Sequence, residues 1–368
     1  MTPTLPKRLD SIQCLRGVAA LLVLFFHLAA FQRDMAVGNA ADIALTSGIW
    51  DRGWAGVDLF FVISGFIMVY VTRETGRSFG DVRRFLTSRI TRIYPLWWVC
   101  AGIMMVYFWV TYGMPAAPDR IAGPSEAVTY AVKSMLLIPQ ASEPILGLGW
   151  TLIHEMFFYL IFAFILFLPK KYLLPALIVW AVLTVAGSFL IRPAAFGRNI
   201  PELLASPLSL EFIAGGIAGW SVSRGRFAAP QLCFYGGIVL AVIGFIAFPQ
   251  TGESSYTVSR VAIFTLPFFL LVYGATGREI IAGRLYPLWL TRLGDWSYSL
   301  YLTHYIVLVT LRRIYRMAAP DSLKVGAEGA LDNVVFAVLA LAISIVTAAV
   351  FYAIIERPAV KFFKQRRV

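Results

Sequence analysis

Charge is what this chain has least of: 14% of its 368 residues are Asp, Glu, Lys or Arg, against 59% hydrophobic, and the mean hydropathy is +0.74. That balance excludes an ordinary soluble domain, in which about a quarter of the residues are charged. Acidic residues are scarcer still, 20 against 32 Lys and Arg, for a net charge of +12. In a soluble protein such a surplus points to nucleic acid. Here it gathers between apolar runs, as in the cytoplasmic loops of membrane proteins, and no nucleic-acid partner is expected. Cysteine is rare: Cys14, Cys100 and Cys233 lie scattered in or beside apolar runs. Their placement excludes a disulfide framework and zinc-ligand spacing, so no metal is expected and the thiols read as small hydrophobes. No internal repeat or low-complexity segment is present. The opening "MTPTLPKRLDSIQ" lacks a cleavable-signal pattern, so the first apolar run is expected to remain as a helix.

What is present is a series of ten apolar stretches, at about 12–32, 54–72, 95–112, 150–168, 172–190, 207–222, 231–248, 259–275, 297–314 and 333–355. They predict an all-α, polytopic membrane helix bundle of about ten transmembrane helices, with residues 1–368 forming a single integral-membrane domain. Counting from an inside start, the cytoplasmic segments carry 20 of the Lys and Arg residues and the opposite side 11, with Arg16 inside the first span. This bias places both termini in the cytoplasm. The sixth stretch, "PLSLEFIAGGIAGWSV", is short and glycine-rich, which predicts close helix packing rather than lipid contact. The longest outer connection, 113–149, contains the weakly amphipathic "SEAVTYAVKSMLLIP" and predicts a re-entrant or interfacial helix. No connection is long enough for a separate globular domain, so the chemistry is expected within the bundle.

Ionisable residues inside such a bundle are functional candidates by default. Arg16 and His27, in "LDSIQCLRGVAALLVLFFHLAAF", are eleven positions apart. They therefore leave one helix face about 20° apart and roughly 16 Å apart along the axis. In the first inner loop, "RETGRSFGDVRRFLTSRITRIY", a helix over 82–93 puts Val82, Phe85, Leu86, Ile90 and Ile93 on one interfacial apolar arc. Arg83 and Arg84 fall on the polar side, where they can meet lipid phosphates. Arg89 and Arg92 fall within or beside the apolar arc, where buried guanidinium groups require an anionic partner. Arginine forks match phosphate oxygens bidentately, so these two predict a cytoplasmic site for a polyphosphorylated ligand, with Arg84 as a secondary contact.

A second constellation is expected toward the outer side. His27, Asp58 in "GWAGVDLFFVISGF" and Glu155 in "GWTLIHEMFFY" come from three helices at comparable depth, where each uncompensated charge costs about 3 kcal/mol. A carboxylate beside an imidazole fixes its tautomer and raises its basicity. His154 adjoins Glu155 but lies about 100° around the helix, so packing is expected for it. His304, in "LGDWSYSLYLTHYIV", shares a polar face with Ser297 and Tyr301, which makes His304 and Tyr301 secondary candidates.

Taken together, "LRGVAALLVLFFH", "GVDLFFVISGFIM", "SRITRIYP" with its Arg89–Arg92 pair, "GWTLIHEMFFY", "GDWSYSLYLTH" and the closing "ERPAVKFF" (Glu356, Arg357, Pro358) resemble the acyltransferase-3 family of polytopic bacterial membrane acyltransferases. The six strings run in order from about residue 8 to 363, and "IQCLRGVAAL" is closest to the exopolysaccharide-modifying branch. The resemblance implies a multi-pass protein of the bacterial cytoplasmic (inner) membrane that transfers an acyl group, usually acetyl from acetyl-CoA, to a carbohydrate hydroxyl. The acceptor would be lipid-linked or polymeric, and no fused hydrolase-like domain is expected. On this reading Arg16, Arg89 and Arg92 hold the coenzyme phosphates. His27 serves as general base or as an acyl relay, with Glu155 or Asp58 orienting it. A transporter or flippase for a lipid-linked sugar also fits ten helices, but no inverted repeat is present and the bundle-facing arginines then lack a reason. A scaffold or receptor would leave a costly buried constellation without purpose.

Overall fold

The computed structural model describes residues 5–35, 48–114, 120–121, 124–191, 197–248, 258–318 and 331–365; among them there is no β-strand. The helices in chain order are α1 (Asp10–Met35), α2 (Ala55–Val71), α3 (Phe79–Tyr112), α4 (Pro124–Leu136), α5 (Gly149–Leu166), α6 (Leu173–Leu190), α7 (Ile200–Leu204), α8 (Leu208–Ser223), α9 (Pro230–Ala247), α10 (Val258–Ala282), α11 (Leu288–Asp295), α12 (Ser297–Ala318), α13 (Leu331–Phe351) and α14 (Arg357–Gln365). Each of the ten expected stretches is helical. Seven of the described helical segments are long and apolar enough to cross a bilayer, and α2 and α8 are shorter apolar helices. The tenth, α12, is amphipathic and buries Ser297, Ser299, Tyr301, Thr303 and His304, so it turns its polar face inward. The chain is a polytopic helical membrane bundle.

The boundary expected at Pro95 is not there. Helix α3 runs unbroken for 34 residues, about 51 Å, so the arginine-rich segment and the third span are one helix. It begins with a capping box in which the Ser78 hydroxyl accepts from Asp81 N–H while the Asp81 carboxylate accepts from Ser78 N–H. Gly113, at φ 70°, ends it. Proline removes one helical N–H; just before it, the Ile93 carbonyl accepts the Tyr298 hydroxyl at 2.7 Å. Val82, Phe85 and Ile93 are buried as the arc predicts, whereas Ile90 is exposed.

Close packing of the glycine-rich sixth stretch is observed. Gly65 of α2 lies against the Phe212 carbonyl of α8, and Gly215 of α8 lies against the Val62 carbonyl of α2. A Cβ at either position would overlap backbone, so only glycine permits this approach.

The end of helix α4 packs against the middle of α3. Its last carbonyls accept from α3: Ser134 from Trp97 Nε1 at 3.2 Å, Met135 from Trp98 Nε1 at 3.0 Å and Leu136 from the Tyr94 hydroxyl at 2.8 Å. These donors satisfy carbonyls that a helix end leaves open, which matters where no water reaches. They also place the end of α4 about 25 Å along α3 from its Gly113 end. As a result α5 starts well inside the bundle: the carbonyl of Leu148, just before it, accepts the Tyr301 hydroxyl of α12 at 3.3 Å.

Candidate active site

A cavity of about 320 Å³ lies among α1, α2, α3, α5 and α12. Exposed Lys7 and Arg8 stand at its inner end, and its lining extends along α2 from Val71 to Val57, about 21 Å. Arg16, Arg89 and Arg92 all line it. Three guanidinium groups from α1 and α3 therefore converge on one space, as the wheel of α3 and the face of α1 predict. Arg16 donates to Gln13 Oε1 at 3.1 Å and Arg89 Nε to the Ser88 hydroxyl at 3.2 Å. Among the described residues no carboxylate lies within ion-pair distance of either group. Arg92 is different: its Nη1 stands 2.9 Å from Glu356 Oε1. Arg84 is not in the cavity; it is exposed and meets Asp81 one turn earlier at 3.4 Å.

Glu155 belongs to this cavity and not to the neighbourhood of His27. Its Oε1 accepts from the Ser64 hydroxyl at 3.0 Å and from the Tyr159 hydroxyl one turn on. Tyr159, Ser64 and Glu155 all line the cavity, and Arg89 lies over the Tyr159 ring at 5.9 Å. The inward displacement follows from α4, because the position of its end lowers the start of α5 and carries Glu155 roughly 10 Å inward of His27.

Asp58 is drawn away in another direction. It is fully buried, and both its oxygens accept from Arg260 of α10, at 2.7 and 3.0 Å from Nε and 2.6 Å from Nη2. The Arg260 guanidinium also covers the Trp54 ring at 4.4 Å. Glu211 of α8 is buried beside this pair. The trio expected from sequence is thus parted: Asp58 pairs with a cation some 200 residues away in the chain. Nothing local in the sequence signals that pairing beyond a lone arginine early in an apolar run.

His27 is accompanied instead by His304. The His304 ring is buried and its Nδ1 meets the Leu300 carbonyl at 2.9 Å, which leaves Nε2 as an acceptor. His27 Nδ1 lies 2.9 Å from the Val23 carbonyl and 3.3 Å from His304 Nε2. Both neighbours are acceptors, so Nδ1 carries the hydrogen and the lone pair of the neutral ring sits on Nε2. Tyr305 packs edge-on to His27 at 5.7 Å. Between this pair and the cavity stands a layer of Phe60, Thr151 and Tyr301. The Tyr301 hydroxyl is 2.7 Å from Thr151 Oγ1, its ring is 5.9 Å from Phe60, and His304 follows one turn farther along α12. Tyr301 thus lines the cavity on one side and meets the His304 ring at 6.2 Å on the other. His154 is buried packing, its Nδ1 on the Trp150 carbonyl and its ring against Phe61.

Sequence reasoning missed Arg260, Glu211, Ser64 and Tyr159. Of these only Tyr159 left a signal, as the hydroxyl four residues after Glu155 on one helix face.

Comparison with known proteins matches residues 9–353 to the family model described as "Acyltransferase domain". The exopolysaccharide production protein ExoZ of Rhizobium meliloti is 32% identical over 334 residues, covering 86% of this chain and 92% of that protein. The acyltransferase MdmB of Streptomyces mycarofaciens is 26% identical, covering 98% of this chain and 94% of its own. No solved structure matches the chain. The family match over nearly the whole length, on a bundle whose arginines and histidines gather in this way, means that the chain belongs to this acyltransferase family and is a multi-pass membrane acyltransferase.

Proposed function

We propose that the protein transfers an acetyl group from cytoplasmic acetyl-CoA to a carbohydrate hydroxyl of an exopolysaccharide or other cell-surface glycan, at the bacterial inner membrane. The observation that carries this reading is the convergence of Arg16, Arg89 and Arg92 on one elongated cavity whose upper wall, Tyr301, meets His304 of the histidine pair. A polyphosphate at the guanidinium groups leaves the pantetheine arm to reach outward past Phe60 and Tyr301. Arg16 and His27 are roughly 16 Å apart along one helix, which sets the length that the arm must cover. ExoZ and MdmB support the choice of substrate class by name alone: the first is an exopolysaccharide production protein and the second an acyltransferase.

On this reading His27 Nε2 takes the proton of the acceptor hydroxyl, and the oxygen attacks the thioester carbonyl. The C–S bond then breaks, and the imidazolium returns the proton to the departing sulfur, giving the ester and CoA thiol. The Val23 carbonyl at 2.9 Å, with His304 Nε2 as a second, longer acceptor at 3.3 Å, accepts the Nδ1 hydrogen of His27 throughout, so the two hold the tautomer. Arginine is too basic to serve as the proton acceptor. The Glu155 carboxylate, held by Ser64 and Tyr159, balances part of the guanidinium charge before donor arrives.

His27→Gln tests the assignment. Transfer of acetyl from labelled acetyl-CoA to glycan is expected to fall by about 10²–10⁴ while the purified protein keeps its thermal unfolding profile. Full activity in that variant overturns the role. Mass spectrometry of the host's surface polysaccharide with and without the gene identifies the acceptor, and loss of acetyl-sized increments is expected.

A further inference from the structure

The carboxylate of Glu356 stands against Arg92, one of the arginines that line the cavity, and the backbone is built to put it there. Helix α13 does not continue regularly into α14; the two are joined by a single π turn, Tyr352–Glu356, in which Arg357 N–H reaches back five residues to the Tyr352 carbonyl. The next residue, Pro358, has no N–H and its ring would collide with the carbonyl four residues earlier in a regular helix. The wider turn relieves that collision and inserts one residue, and such turns recur at functional positions. The result is a buried carboxylate flanked by exposed neighbours: Glu356 is 2% exposed, whereas Ile354 is 68% exposed and Arg357 is exposed.

Glu356 does not line the cavity. Its Oε1 is 2.9 Å from Arg92 Nη1, and its Oε2 accepts the Ser299 hydroxyl of α12 at 2.6 Å. The contact engages one terminal nitrogen of Arg92, so the fork retains donors for another anion. The Tyr298 ring, 5.9 Å from the guanidinium, packs on the same group. Arg16 and Arg89 have no such carboxylate among the described residues. Arg8, exposed at the mouth of the cavity, pairs with Asp295 at 3.1 Å; among Arg16, Arg89 and Arg92, Arg92 is therefore the one braced by a buried carboxylate.

We infer that Glu356 is a positioning residue for donor binding: held by Ser299, it fixes the Arg92 guanidinium in the cavity wall with its remaining donors presented to the coenzyme phosphates. The inference rests on the proposed donor site. It also assigns a reason to the π turn, which aims this carboxylate across the bundle at α3.

The test is calorimetric titration of CoA itself into the purified full-length protein in nanodiscs. Glu356→Gln keeps an acceptor for Ser299 and removes the charge; it is expected to weaken CoA binding about tenfold. In an Arg92→Ala background the same substitution is expected to add nothing, because its partner is gone. Ser299→Ala loosens the same carboxylate and is expected to weaken binding about threefold, which carries the test if the Glu356 variant does not fold. A mere structural brace would lower the unfolding temperature while leaving CoA affinity unchanged, and that result overturns the inference. So does an undiminished Glu356→Gln effect without Arg92. If the unaltered protein binds no CoA, the donor-site reading falls with it; if it binds and the variants bind equally well, only the role of Glu356 falls.

Discussion

Two places in this bundle bury arginine beside carboxylate, and they are built in opposite ways. At Asp58 the pairing with Arg260 is closed: both carboxylate oxygens are engaged, the guanidinium is 1% exposed, and neither side chain lines the cavity. Beyond exposed Arg8 at the cavity mouth, the guanidinium groups of Arg16, Arg89 and Arg92 face open volume, one braced by Glu356 and two with no carboxylate in ion-pair reach among the described residues. The first arrangement spends its hydrogen-bonding capacity on holding α2 to α10. The second leaves capacity for a guest. Charge buried in a membrane protein is thus not one signal but two, and the number of donors left over separates them.

The comparison can be broken by experiment, starting where the effect is largest. Arg260→Met strands the Asp58 carboxylate and is expected to cost about 3–5 kcal/mol of stability, read as thermal unfolding in detergent. Asp58→Asn added to that variant is expected to recover part of the loss. Arg89→Ala removes a cation that faces the cavity. Its expected signature is a donor KM raised by about ten- to a hundredfold, as for a lost charge-assisted hydrogen bond, with the unfolding temperature little changed. If Arg89→Ala unfolds the protein and Arg260→Met only raises KM, the two assignments are reversed. Arg84→Ala is the smallest: the side chain is exposed on α3 and, among the described residues, its ion pair is with Asp81, so stability is expected to shift within about 0.5 kcal/mol and donor KM to hold.

The helices, the side of α3 that bears Arg89 and Arg92, and the shared face of Arg16 and His27 were all legible, because each follows from period and composition within one segment. Depth was not. Glu155 reads as an outer residue only if α5 starts at the outer face, and the inward dip of α4 is set by hydrogen bonds from Tyr94, Trp97 and Trp98 that no local pattern announces. Pro95 reads as a boundary by propensity, yet it sits inside a continuous helix. The partners of Asp58 and His27 come from helices some 200 and 277 positions away, and spacing along a chain carries no information about such encounters.

The Phe60–Thr151–Tyr301 layer carries an electrical consequence. A basin of fixed positive charge, continued without interruption across the bundle, would be a conduit for ions through the membrane that the bundle spans. This single storey, with the Tyr301 hydroxyl engaged by Thr151 and the Leu148 carbonyl, separates the basin from the imidazoles above it. On the proposed reading the partition has to admit a slender arm and little else, so keeping voltage and passing substrate fall to the same few atoms.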